Sequence, residues 1–303
     1  MVYENILEEL VREDERFIVM TAENRAAIRN LPLKIGNRFI DTGITEMTLV
    51  GMAAGLALRG RIPIIHSLAP FLTMRAFEFI RTDVGIANLP VKLVGGFPGL
   101  LSEANGPTHQ SLEDISLMRG IPNMKIFCPA DEMDMLICIK SILYSPSPYY
   151  IRYNNRKPLY KHSNIFQEGK AEVIFKGEDI NILTYGTLFS ESLETRELIQ
   201  NKGLDTGLVN FRTLKPIDKD VIIESLRNSC LTVIIEDHFL TGGLFSIVSE
   251  IASRNNIASK ILPIGFSSRW FKPALFKDVL VYEKLTPFFL MNRILKEMSK
   301  IIW

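Results

Sequence analysis

The sequence predicts an α/β protein with two doubly wound domains, each a mostly parallel sheet flanked by helices. A chain of 303 residues is comfortable for two such domains. Short apolar runs alternate with helix-length segments along almost the whole chain, which is typical of parallel strands joined by helical crossovers. A polar, irregular stretch at residues 154–167 separates one complete alternation from a second one.

The first domain is predicted from six strands that alternate with five helices. Strands are assigned to short apolar runs at residues 17–20, 38–40, 62–66, 91–94, 125–128 and 149–152. Helices are assigned to segments of helical spacing at residues 5–11, 45–59, 70–82, 111–119 and 131–143. Gly60 is placed to end the second helix, and residues 95–106 read as a glycine-rich loop.

The second domain repeats the alternation after the polar stretch. Its strands are predicted at residues 180–185, 206–210 and 231–236. Its helices are predicted at residues 191–201 and 218–226, after the Thr-Gly-Gly at 241–243, and at residues 290–302. We therefore expect a first domain at residues 1–158, a linker at 159–172 and a second domain at 173–303.

Composition excludes several classes of partner. The formal net charge is +1, so no general field draws the chain to nucleic acid or to anionic lipid. The first residues lack the order of a signal peptide, and the longest apolar run, 49–58, is too short to span a bilayer. Cys128, Cys138 and Cys230 form no metal-ligand spacing. We predict a cytoplasmic protein with reduced thiols and no metal site of its own.

Two polar residues are candidates for chemistry. Glu46 stands at the start of an otherwise apolar helix that must be buried, and a buried carboxylate needs a partner. A glutamate in the first helical turn can also serve only the cap or the helix dipole. His109 lies in a tight polar turn, where it is either a proton carrier or a surface residue.

An aromatic helix face and an arginine at a strand end complete the candidates. Steps of three place Phe71, Met74 and Phe77 on one face of a regular helix, which also fits ordinary core packing. Arg152 ends a predicted parallel strand, at the sheet edge where open α/β sheets bind ligands. An arginine there suits a phosphate or carboxylate, or is simply solvated.

These residues belong to longer motifs that follow one another in a fixed order. In the first domain they are DTGITE at 41–46, residues 71–83, GPTHQ at 106–110, LED at 112–114, RGIPNM at 119–124 and PAD at 129–131. In the second domain they are YGT at 185–187, FRTLKPID at 211–218 and EDH at 236–238. Over nearly the whole chain, this series resembles the pyrimidine-binding and C-terminal domains of transketolase and of deoxyxylulose-phosphate synthase.

The resemblance implies a thiamine diphosphate site. Glu46 matches the glutamate that hydrogen-bonds the pyrimidine ring nitrogen of the cofactor, and a buried carboxyl that exchanges a proton suits that role. Phe71, Met74 and Phe77 match the helix face that packs on the aminopyrimidine. Glu23 lies where the family has an acidic residue near the thiazolium ring.

The same resemblance implies substrate contacts. His109 matches a histidine that handles protons of substrate hydroxyls, Arg152 matches a substrate phosphate ligand, and Arg75 matches an active-site arginine of the deoxyxylulose-phosphate synthases. Three positions depart from transketolases: Phe97 replaces a histidine, Asn105 an aspartate and Ala27 a serine. We therefore expect an intact cofactor half and an altered sugar-phosphate end, with Asn105 and Phe97 among the substrate-binding positions.

The sequence does not resemble the Gly-Asp-Gly to Asn segment with which these enzymes hold diphosphate and Mg²⁺. The resemblance thus implies the C-terminal subunit of a split transketolase, with a separate N-terminal subunit that holds the metal in an α₂β₂ assembly. Such an enzyme transfers a two-carbon ketol unit from a ketose, or ketose phosphate, to an aldose. The alternatives are the beta subunit of a 2-oxoacid dehydrogenase and a non-catalytic homologue that regulates its partner.

Overall fold

A computed structural model describes residues 2–267 and 269–302, which form two sheets enclosed by helices. The elements of the first half are α1 (Tyr3–Glu13), β1 (Phe17–Thr21), α2 (Leu31–Ile35), β2 (Phe39–Asp41), α3 (Glu46–Leu58), β3 (Ile62–Leu68), α4 (Phe77–Phe79), β4 (Lys92–Gly96), α5 (Asp114–Arg119), β5 (Lys125–Phe127), α6 (Glu132–Leu143) and β6 (Tyr149–Arg152).

The second half continues the alternation. Its elements are β7 (Glu172–Phe175), β8 (Ile180–Thr184), α7 (Phe189–Gln200), β9 (Thr206–Asn210), β10 (Thr213–Lys215), α8 (Lys219–Asn228), β11 (Leu231–Phe239), α9 (Leu244–Arg254), β12 (Ile261–Phe266), α10 (Phe276–Tyr282) and α11 (Pro287–Ile302). None of the helices in this described part combines the length and the apolar character that crossing a bilayer requires.

The first sheet has seven strands in the order β10-β5-β6-β4-β3-β1-β2, and all its pairs are parallel except β10 with β5. Side chains alternate between its two faces, as the pleat requires. In β1, Ile18 and Met20 join the core beneath α3, whereas Phe17 and Val19 join the core beneath α1 and α6. Strands buried on both faces explain why the sequence shows continuous apolar runs here.

The second sheet has five strands in the order β12-β11-β8-β9-β7, with only β7 antiparallel. One apolar cluster extends from α3 in the first half to α8 and α9 in the second half. The two halves also share a sheet, because β10 follows β9 in the chain and pairs with β5. The predicted fold of two mostly parallel α/β sheets is confirmed.

Five elements are absent from the sequence prediction: α2, β7, β10, β12 and α10. Strand β12 contains Pro263 and Gly265, which argue against a strand, yet it forms a sheet edge, where a proline is tolerated. Strand β10 is only three residues long, and its pairing with a distant strand leaves no local pattern.

The segment after β3 differs most from its prediction. The sequence predicts a regular helix at residues 70–82, but the structure has wide π-type turns at Phe71–Arg75 and Ile80–Ile86 on either side of α4. Wide turns of this kind occur often at functional sites. They also change which side chains share a face, so the argument from steps of three residues does not hold for this segment.

Candidate functional site

The loops that follow the first strands of the larger sheet meet at its carboxyl edge. Asp41 ends β2, and its Oδ1 accepts hydrogen bonds from the backbone N–H groups of Gly43 at 3.0 Å and Glu23 at 3.2 Å. Gly43 has a φ of +70°, a left-handed conformation that favours glycine. Glu23 itself is exposed beside this turn. The turn fixes where α3 begins, and its first residue is Glu46.

Glu46 is a buried carboxylate with two partners. The residue is 1% exposed, and the helix behind it is otherwise apolar. Its Oε1 accepts a hydrogen bond from Ser67 Oγ at 3.3 Å, and its Oε2 accepts one from Arg75 Nη1 at 2.7 Å. A buried carboxylate without partners would be costly, so these contacts explain how the site retains it. Sequence reasoning missed Ser67, because a lone serine at a strand end gives no signal.

An aromatic group lies beside this carboxylate. The guanidinium carbon of Arg75 is 4.3 Å from the centroid of the Phe71 ring. The ring of His109 lies 5.1 Å from the same ring, centroid to centroid, in an edge-on arrangement. The His109 Nδ1 is also 2.9 Å from Thr108 Oγ1. The structure therefore brings four of the predicted site residues together: Glu46, Arg75, Phe71 and His109.

The other two members of the predicted helix face are placed differently. Phe77 is partly buried and packs on the apolar core of the first sheet. Met74 is half-buried in the first π-type turn. The prediction that Phe71, Met74 and Phe77 share one face depends on a regular helix, and the wide turns remove that basis.

Two of the three positions that depart from transketolases line a small cavity. Phe97, Ala27, Asn24 and His66 are among its lining residues. Phe97 is 41% exposed and has a φ of +52°, which is unusual for an aromatic residue and marks local strain. Burial lowers the pKa of His66 to about 4, so its ring is neutral and offers no charge to an anion. Asn105 turns back on its own loop, where its Nδ2 donates to Ser102 O at 3.0 Å.

The surroundings of Arg152 contradict its predicted role as a substrate phosphate ligand. The residue is 2% exposed, its Nε donates to Asp114 at 2.9 Å, and its Nη1 donates to Asp237 at 2.7 Å. Asp237 belongs to β11 of the second sheet, so the arginine ties the two halves together. A side chain on Gly99 would collide with Asp237 and Arg152, so the glycine-rich loop packs directly on this ion cluster. Arg152 is therefore not available to a substrate phosphate in this structure.

A second buried ion cluster is not predicted by the sequence. Asp134, His162 and Glu172 form the one group of potential metal ligands within residues 2–267 and 269–302 that could share an ion. Arg212 already lies among them, with Nε 2.6 Å from Asp134 and Nη2 3.1 Å from Glu172. The guanidinium supplies the positive charge that a metal would bring, so the group is an ion-pair network between the halves.

Comparison with known proteins finds matches for both halves of this architecture. The family model for the transketolase pyrimidine-binding domain matches residues 1–159, and the model for the transketolase C-terminal domain matches residues 169–287. The 6-deoxy-6-sulfo-D-fructose transketolase subunit SqwH of Clostridium sp. (strain MSTE9) is 33% identical over 257 residues, which cover 84% of this chain and 80% of that protein.

Two further relatives differ in how much of their own length this chain matches. A protein of Methanocaldococcus jannaschii named as a transketolase C-terminal section is 32% identical, over 98% of this chain and 95% of its own length. The 1-deoxy-D-xylulose-5-phosphate synthase of Dictyoglomus thermophilum is 34% identical over 77% of this chain, but the match covers only 38% of that enzyme.

Solved structures give the same result. A split-gene transketolase, described as an inactive beta4 tetramer, matches with a TM-score of 0.86 and 29% identity over 98% of this chain and 97% of that one. The transketolase of Campylobacter jejuni matches with a TM-score of 0.77 and 18% identity over 97% of this chain and 45% of that one, a likeness of fold. The predicted family is therefore confirmed.

Proposed function

This chain belongs to the transketolase family, and from that premise we propose that it carries the pyrimidine-binding half of a two-chain transketolase that depends on thiamine diphosphate. The reaction is the transfer of a two-carbon ketol unit from a ketose donor to an aldose acceptor. The observation that carries the proposal is Glu46, a carboxylate buried at the start of an apolar helix with its Oε2 beside the Phe71–Arg75 turn. A first-turn glutamate that served only as a cap or dipole partner would be solvated at this position.

The residues present fit the aminopyrimidine part of the cofactor. Glu46 offers a carboxyl oxygen for the ring nitrogen, and Phe71 offers an aromatic surface next to it. When bound, thiamine diphosphate supplies the carbanion chemistry that breaks and forms the carbon–carbon bonds. The role of Glu46 is to hold and move a proton at the pyrimidine nitrogen. His109, whose ring contacts that of Phe71, is the candidate to move protons of substrate hydroxyls.

The diphosphate requires a metal ion and donors that we assign to a separate chain. Mg²⁺ is usually held by carboxylates together with the phosphates of the ligand. In the described part of the chain, the one cluster of suitable ligands is already neutralised by Arg212. Two relatives are named as a split-gene transketolase and a transketolase subunit, which supports an N-terminal partner. We therefore propose an α₂β₂ enzyme in which the partner holds Mg²⁺.

The proposed substrate is a sugar that differs from a common pentose phosphate at the end that normally carries the phosphate, away from the reacting carbonyl. Phe97 and Ala27 bring apolar surface to the cavity at the sheet edge, and Arg152 is engaged between the halves. One relative is named for 6-deoxy-6-sulfo-D-fructose, a ketose with a sulfonate in place of a phosphate ester. We propose a modified ketose of this kind, sulfonated, deoxygenated or unphosphorylated, as the donor.

Replacement of the buried carboxylate tests the proposal. Glu46→Gln keeps the size of the side chain but cannot exchange the proton, so we expect thiazolium C2 proton exchange to slow by at least about a hundredfold, the usual loss of acid–base assistance. The assay is NMR-monitored deuterium exchange with the partner chain, Mg²⁺ and cofactor present. Glu78→Gln, on the exposed side of the same region, is the matched control. Unchanged exchange in Glu46→Gln would refute the assignment.

A further inference from the structure

Arg75 makes contact with both groups that the proposed site needs for an aminopyrimidine ring. Its Nη1 donates to Glu46 Oε2 at 2.7 Å, and its guanidinium carbon is 4.3 Å from the centroid of Phe71. The carboxyl oxygen and the aromatic face are therefore both taken by one side chain of the same subunit.

A guanidinium resembles an aminopyrimidine in the properties that matter at this position. Both are planar, and both stack on aromatic faces. Both also form in-plane hydrogen bonds with the carboxyl group of a glutamate, the guanidinium as an N–H donor and the pyrimidine ring nitrogen as the acceptor of the carboxyl proton. If a pyrimidine ring uses the same Glu46 oxygen and the same face of Phe71, the Arg75 guanidinium and that ring cannot occupy these contacts at the same time.

The two side chains of the Arg75–Glu46 ion pair differ greatly in their exposure to solvent. The Glu46 side chain is 2% exposed, whereas the Arg75 side chain is 42% exposed. Glu46 cannot turn toward water for compensation, and without a cation it would remain a buried unpaired charge. Arg75 can turn outward, and ion pairs with one solvent-exposed member are weak enough to be exchanged for another ligand.

We propose that Arg75 is a displaceable counter-ion that occupies the pyrimidine position of the free subunit. It keeps Glu46 paired and the site closed until the cofactor is presented, and it leaves when the pyrimidine ring enters. This inference rests on the proposed function, and it adds a positioning residue that competes with the cofactor for the same two contacts.

Binding of the isolated pyrimidine half tests the inference without the partner chain. The probe is 4-amino-5-hydroxymethyl-2-methylpyrimidine, and its affinity for the full chain is measured by ligand-observed NMR. Arg75→Met removes the competing cation while retaining apolar bulk over Phe71. We expect the variant to bind the probe about tenfold more tightly than the native chain, which corresponds to about 1.4 kcal/mol.

Three further variants separate this effect from a general one. Arg81→Met removes a similarly exposed arginine, paired with Glu78, and should leave the affinity unchanged. Glu46→Ala combined with Arg75→Met should lose the gain, because the gain depends on the freed carboxyl group and alanine offers no hydrogen-bonding group to the ring nitrogen. Arg75→Gln is a second substitution in case the methionine variant does not fold, as judged by circular dichroism.

The outcomes distinguish the inference from the proposed function. Equal or weaker probe binding by folded Arg75→Met and Arg75→Gln, with clear binding by the native chain, would overturn the counter-ion role and leave the pyrimidine site intact. Absence of probe binding by every variant would overturn both. Millimolar methylguanidinium should also compete with the probe in Arg75→Ala, and failure to compete would count against a shared position.

Discussion

The ion cluster around His162 is expected to make part of the stability dependent on pH. The ring is fully buried, with Nδ1 2.8 Å from Glu172 Oε2 and Nε2 3.0 Å from Asp131 Oδ2. Burial lowers the pKa of His162, but the hydrogen bonds to Asp131 and Glu172 outweigh burial and raise the pKa to about 9. The charged ring of His162 thus connects the predicted linker at residues 159–172 to the start of α6 and to β7.

The direction and size of the effect follow from that pKa. A histidine whose pKa is raised on folding contributes stability that is fully present below its unfolded value of 6.5 and is lost as the pH rises through about 9. The difference between the two pKa values corresponds to about 3 kcal/mol in the free energy of unfolding. His162→Gln should therefore cost about 3 kcal/mol more at pH 6 than at pH 10.

Urea unfolding of the native chain and the variant at both pH values measures this difference through the transition midpoint. His66→Gln is the matched control, because burial lowers the pKa of His66 to about 4 and its ring stays neutral throughout. The cost of that control substitution should be slightly smaller at pH 6 than at pH 10, by less than about 1 kcal/mol, because His66 is partly protonated only in the unfolded state at pH 6. If His162→Gln cost the same at pH 6 and pH 10, the charged state assigned to the cluster would be wrong.

Three other results are expected. Arg152→Met leaves Asp114 and Asp237 buried without their cation, so it should lower the unfolding free energy by about 3–5 kcal/mol in urea titrations, and a further Asp237→Asn should restore part of the loss. Burial lowers the pKa of Lys92 to about 7, which destabilises the fold below pH 10.5; Lys92→Met should therefore raise stability at pH 7 relative to pH 10.5 by about 4 kcal/mol, and an equal effect at both pH values would contradict this. Calorimetric titration of the purified chain alone with thiamine diphosphate and Mg²⁺ should show weak binding and no turnover, whereas tight metal-dependent binding would refute the need for a partner.

The regular part of the fold is predictable because local chemistry determines it. The strand Tyr149–Arg152 has the bounds that the sequence predicts, since an apolar run between turn residues leaves little choice. Asp131 and Asp218 are predicted at helix starts, and both accept a hydrogen bond from a backbone N–H three residues on, as N-cap residues do. Such signals depend only on neighbours in the sequence.

The residues proposed for the cofactor half of the site are recognisable for a different reason. The Asp-Thr-Gly turn and the apolar helix after it are recognisable in the amino-acid sequence, and they single out Glu46 among the carboxylates of the chain. The partners of Glu46 carry no such signal. Arg75 reaches the carboxylate from 29 positions away through a π-type turn, and no propensity in the sequence marks that wide turn.

Arg152 shows where reasoning from strand ends fails. The rule that ligands bind at the carboxyl edge assumes that this edge faces solvent or a ligand. Here the second sheet brings Asp237 to that edge, and a buried carboxylate strongly favours a guanidinium over an empty position. Burial of the arginine also fixes Gly99 and hence the loop that carries Phe97 and His109. The interface that engages Arg152 therefore also holds Phe97 and His109, two residues proposed for the substrate side, in position. For this reason the choice of sugar should depend on the junction between the two sheets as well as on the residues that line the cavity.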